Sequence, residues 1–193
     1  MKIYIVRHED RTQDGSFFSP LTKKGLENAN NLVAKLKNEK IDLIISSPFI
    51  RTLQTVYPYS KACNIKINLE YGLEEINHSD IIAKKNAGIN LPEYLCEAFN
   101  YDQTYKTIIK PTDIKWPEQE EDVMRRVKKI LKVIITKYYN TNLNILLVTH
   151  QCPCVQILKI INKSIKVDDN ILQNYEKGRL SLVYDNGWVF RKL

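Results

Sequence analysis

No stretch of this 193-residue chain approaches the roughly 20 consecutive apolar residues that a membrane-spanning helix needs, so no membrane span is expected. The first apolar run, Ile3-Tyr4-Ile5-Val6, is too short for a secretory signal, and no small-residue cleavage site follows it. The four cysteines, Cys63, Cys96, Cys152 and Cys154, lack framework spacing. They read as free thiols in a reducing compartment, with the cytoplasm as the expected location. Cys152-Pro153-Cys154 has no second ligand pair to complete a metal site and reads as ordinary core cysteines at a helix start. Internal repeats, low-complexity tracts and linkers are also missing, and the length suits one domain over residues 1–193. The formal net charge of +7 comes without any nucleic-acid motif. A basic surface attracts nucleic acid, membranes and phosphorylated small molecules alike, and nucleic acid is not the expected partner here.

What is present alternates. Strand signals fall at 2–6, 42–46, 65–68 and 143–149, and helical patterns lie between them. Thr22 can cap a helix that carries Leu26, Ala29, Leu32, Val33 and Leu36 on one face. A second helix is expected over 48–63, kinked or interrupted at Pro58. A third is expected over 117–138, opened by Pro117 and acidic in its first turns, where the helix dipole favours acids. Its buried stripe is Val123, Val127, Ile130, Leu131, Ile134 and Ile135; Arg125, Arg126, Lys128, Lys129 and Lys132 mostly take the other, solvated face. At the end, Asn186-Gly187 between two β-rich runs signals a hairpin. This pattern predicts an α/β fold: a three-layer α/β/α sandwich with a mostly parallel central sheet and a C-terminal hairpin. Residues 77–116 are irregular and read as an insertion placed to cover a substrate.

The strand ends carry the chemistry. The first run stops on Arg7-His8, which is either a charged strand end in solvent or half of a site at the carboxyl edge of the sheet, where ligands bind in such folds. A second run, "NILLVTH", ends on Thr149-His150; a third leads into "SSPFIRTLQT", whose helix presents Arg51; "YGLEEIN" brings Glu74 and Glu75 to the same edge. Neighbouring parallel strands would gather two histidines, arginines and a carboxylate. Arginine binds phosphate oxygens through a planar, permanently charged fork. A neutral imidazole is a competent nucleophile toward phosphorus, and adjacent arginines keep it neutral. A second histidine, protonated, can hydrogen-bond the transferring group, and a carboxylic acid can protonate the leaving alkoxide.

"VRH", "SSPFIRTLQT", "GLEEI" and "VTH", in this order along nearly the whole chain, resemble the histidine phosphatase superfamily, the phosphoglycerate-mutase-like proteins. Arg11, three residues after His8, and "SPLTKKG" at 19–25 are most similar to the branch of ecdysteroid-phosphate phosphatase and the suppressors of T-cell-receptor signalling. The resemblance implies His8 as the phosphorylated nucleophile, and Arg7, Arg11, Arg51 and His150 as phosphate-binding groups. It implies Glu75, rather than Glu74, as the general acid. It also implies a metal-independent, cofactor-free histidine acid-type phosphatase acting on a phosphorylated small molecule or phosphoprotein. Glu9 and Gln151 stand where the family has glycine, which leaves a weakly active or inactive ligand-binding member as the alternative. A mutase is less expected, because "RHEDRTQD" lacks the mutases' "RHGxSxWN". His78 reads as an exposed loop histidine, while Trp116, Tyr94, Tyr101 and Tyr105 either line a substrate pocket or pack the insertion.

Overall fold

The computed structural model describes residues 1–78, 89–161, 180–185 and 191–192. Strands β1 (Lys2–Arg7) and β4 (Asn144–Thr149) lie side by side and parallel, from Lys2 opposite Asn144 to Arg7 opposite Thr149. Parallel β2 (Leu43–Ser46) and β3 (Ile67–Leu69) extend the sheet beyond β4. On the other side of β1 come β5 (Leu180–Asp185) and β6 (Arg191–Lys192), both antiparallel to their neighbours, giving the order β3-β2-β4-β1-β5-β6. The expected closing hairpin is therefore paired; its Asn186-Gly187 turn lies outside the described residues.

Both faces of the sheet are covered, because its central strands are apolar on both sides. Helices α1 (Lys23–Leu36) and α2 (Ile50–Cys63) bury Leu32, Leu36, Leu53 and Val56 against Tyr4, Val6, Ile44 and Leu146. Helices α4 (Glu120–Tyr138) and α5 (Gln151–Ile161) bury Val127, Ile130, Cys154 and Ile157 against Ile3, Ile5, Ile145 and Leu147. The layers are thus α/β/α.

Local chemistry sets most boundaries. Thr22 caps α1 by accepting from the Gly25 amide, as expected. Gly25 has no alternative, since a Cβ there would strike the Asp10 carbonyl; the start of α1 is thereby pressed against the loop that follows His8. Other expectations change. Leu26 is exposed, because Gly25 takes the buried position of that turn. Pro58 sits inside an unbroken α2. Helix α4 starts at Glu120 rather than Pro117: Gln119 and Asp122 form a reciprocal capping box, which satisfies two free amides, and Trp116-Pro117 is a cis bond before it.

Within 77–116 the described parts pack on the sheet layers. The short helix α3 (Leu95–Phe99) and Tyr101 join the α2 side, with Tyr101 bridging Ile67. Tyr105 donates to the buried Glu70, whose carboxylate also accepts from the Ile108 and Ile109 amides. Tyr94 is exposed. Residues 79–88 lie outside the described residues.

Candidate active site

Because β1 and β4 are neighbours in register, the residues just past their ends meet. The His8 amide donates to the Thr149 carbonyl, and the His8 and His150 rings stand 5.1 Å apart, edge to face. Both are buried. The His8 Nδ1 lies 2.7 Å from the Glu9 carbonyl oxygen. A carbonyl only accepts, so Nδ1 carries the proton and Nε2 keeps its lone pair. Burial first, and then the charge of Arg51, with smaller contributions from Arg7 and Arg11, hold the His8 imidazole well below its ordinary value, and so neutral.

Arg51 comes from the first turn of α2. It is 1% exposed, donates to the Ser16 carbonyl at 2.8 Å, and lies 4.6 Å from the centre of the Phe49 ring. Desolvation pulls it down to about 9, against the opposing pull of Glu75. Among the described residues it has no carboxylate within salt-bridge distance. A buried cation without such a partner is costly, and an anionic ligand would offset that cost.

His150 is fully buried against Phe49, 4.8 Å between ring centres. Its Nε2 lies 2.8 Å from the Ser47 hydroxyl, which itself accepts from the Phe49 amide. The Ser47 proton can therefore go to Nε2, which leaves Nδ1–H as a donor with no partner among the described residues. Here the expectation of a protonated second histidine needs correction. Burial, Arg51 and His8 push His150 well below its ordinary value, so it offers a neutral N–H to a ligand. Ser47 was not singled out in the sequence; a serine two residues before a helix cap carries no distinctive signal.

The two carboxylates part company. Glu75 Oε1 accepts from the amides of Ile76 and Cys152, the latter two residues past His150. It thus joins the histidines and Arg51. Glu74 is 2% exposed and turns to Asn77, whose side-chain amide is 3.4 Å away; burial raises it to about 8. Arg11 is half-buried and acts on both His8 and Arg51 through its charge. Glu9 is buried, with its carboxylate on the Asn28 amide of α1 at 3.1 Å, and Gln151 is exposed. His78 is half-buried and, with Ile76, Glu118 and Cys152, lines a cleft of about 560 Å³ beside Glu75. Arg126, expected on a solvated face, is buried. The expected core role of Cys154 is met: it is fully buried and free, while Cys152 is half-buried.

Strand-end histidines at the carboxyl edge of this sheet define an α/β protein of the phosphoglycerate-mutase-like class. The chain matches the histidine phosphatase superfamily (branch 1) over residues 3–183, and it belongs to that family. Ecdysone phosphate phosphatase from Bombix mori, solved with tungstate, superposes with a TM-score of 0.74 at 16% identity, covering 98% of this chain and 91% of its own. A phosphoglycerate mutase from Bacillus anthracis gives 0.67 at 21% identity over 100% and 92%. In sequence, the chain is 33% identical over 92 residues to the probable phosphoglycerate mutase GpmB of Photorhabdus laumondii, spanning 45% of this chain and 42% of that protein. Among the described residues no helix is long and apolar enough to cross a membrane.

Proposed function

We propose that the protein is a phosphatase that hydrolyses phosphomonoesters through a phosphohistidine on His8. One juxtaposition carries this: the unprotonated Nε2 of a neutral His8 beside Arg51, a buried guanidinium with no carboxylate partner among the described residues. Arg51, Arg7, Arg11 and the Nδ1–H of His150 bind the phosphoryl oxygens. The Nε2 lone pair forms the P–N bond while the P–O bond to the leaving oxygen breaks. Glu75 gives a proton to that oxygen. Water then attacks phosphorus, the P–N bond returns its electrons to Nε2, and the Glu75 carboxylate takes the water's proton. The guanidinium charge supplies the electrostatic stabilisation that a metal would otherwise bring. The substrate is a phosphorylated small molecule or phosphoprotein in the cytoplasm.

Rapid quenching during turnover of p-nitrophenyl phosphate tests the mechanism. The expected product is an acid-labile, base-stable phosphoprotein that is absent in His8→Ala. An acid-stable, base-labile adduct would refute it.

Phosphomutase activity is the second reading, favoured by the partial match to the probable phosphoglycerate mutase. Incubation with 3-phosphoglycerate separates the two: a phosphatase releases inorganic phosphate, and a mutase yields the 2-isomer. The reading without turnover rests on Glu9 and Gln151; the Glu9 carboxylate is held on the Asn28 amide, which weakens the first of these supports.

A further inference from the structure

We propose that Arg126, with Glu118, is a positioning residue that sets Glu75 against the candidate site. This rests on Glu75 being the general acid. The segment that carries Glu75 follows a one-turn 3-10 helix (Tyr71–Leu73) and has no sheet or helix of its own from 74 to 77, so its backbone groups need partners from elsewhere. Arg126 and Thr149 provide them. Arg126 Nη1 donates to the carbonyls of Gly72 at 2.6 Å and Glu74 at 2.9 Å, and Nη2 donates to that of Glu75 at 3.3 Å. The Thr149 hydroxyl, one residue before His150, donates to the carbonyl between them, that of Leu73, at 2.6 Å. Four successive carbonyls are thus held by two side chains from α4 and β4.

The guanidinium is itself aimed. Its Nε and Nη2 donate to the two oxygens of Glu118 at 2.9 and 3.0 Å. Glu118 closes the far end of the segment: its carboxylate accepts from the Asn77 amide at 3.0 Å, and its own amide donates to the Asn77 carbonyl at 2.7 Å. All five N–H groups of Arg126 are therefore engaged, in one plane. Gly72 lets α4 come this close, since a Cβ there would run into Ile130 and Ile109. Lysine has three donors on a single atom and cannot reproduce the fork. Because Thr149 is joined to His150, the clamp fixes the acid relative to the phosphate-binding histidine. A displacement of about 1 Å at such a site costs on the order of 100-fold in rate.

The test compares Arg126→Lys and Glu118→Asp with Glu75→Gln, each checked for folding by circular dichroism, on an alkyl phosphate and on p-nitrophenyl phosphate. A misplaced acid slows the substrate whose leaving group needs a proton. Arg126→Lys should therefore lower kcat for the alkyl phosphate by about 10²-fold, with little change in KM and far less change for the nitrophenyl ester. Combined with Glu75→Gln it should add almost nothing, since both act through one carboxyl. An equal fall on both substrates, or a full additional loss in the double variant, would overturn the proposal. Glu118→Asp keeps the charge, is the milder change, and carries the same expectations should Arg126→Lys fail to fold. If Glu75→Gln itself shows no leaving-group dependence, Glu75 is not the acid. If it does and neither clamp variant follows it, Glu75 stands and the clamp fails.

Discussion

Glu74 offers a sharp quantitative check on the physics of this site. Its carboxyl is 2% exposed, Oε1 has no hydrogen-bond partner among the described residues, and Oε2 has only the long contact from Asn77. Arg126 is near and attracts the charged form, yet its N–H groups are already taken by Glu118 and three carbonyls. Burial wins, and Glu74 rises from the ordinary 4.5 to about 8. Between those two values the folded chain keeps a proton that the unfolded chain has released, so rising pH favours unfolding. The penalty is absent below 4.5, grows by about 1.4 kcal/mol per pH unit, and stops growing above about 8. By pH 7 it is on the order of 3 kcal/mol. Glu74→Gln keeps the shape and removes the titration. Urea unfolding of both proteins at pH 5, 6, 7 and 8 should show the variant gaining on the wild type at each step, with p-nitrophenyl phosphate turnover retained. A constant difference would refute the reasoning. So would a variant that loses ground to the wild type as pH rises, because Arg126 would then be stabilising an ionised carboxylate.

Further outcomes follow from the other groups. Glu75→Gln should lose roughly 10²–10⁴-fold on alkyl phosphates and far less on p-nitrophenyl phosphate; equal losses would make Glu75 a binding group instead. Since burial and Arg51 lower His8, single-turnover phosphorylation should stay flat as pH falls through 6.5, and a drop centred there would mean an ordinary, exposed imidazole. Glu9→Gly should leave turnover intact while the lost Asn28 bond lowers stability by about 1–2 kcal/mol, measured by thermal melting; a hundredfold loss of activity would give Glu9 a chemical role. Turnover should survive excess EDTA and be inhibited by vanadate, and loss on chelation restored by zinc or magnesium would remove the arginine-only account.

The sequence by itself determined what depends on short range. A short apolar run ending on Arg7-His8, and another on Thr149-His150, is legible because strand propensity and burial act over a few residues. The Thr22 cap is equally local, one hydroxyl and an amide three residues on. Alternation with helices makes the sheet largely parallel, but that β1 lies beside β4, which brings His8 to His150, is decided by the fold. Tertiary structure decided the rest, because the deciding partners are far apart in the chain. Arg126 looks like one more cation on a basic helix face, and it turns inward because three carbonyls some fifty residues earlier take three of its donors and Glu118 takes the other two. Glu74 and Glu75 are chemically identical neighbours. Backbone direction at the end of a 3-10 turn sends one to the Cys152 amide and the other into a site where burial keeps its proton. Local pattern named the groups, and long-range desolvation set their charges.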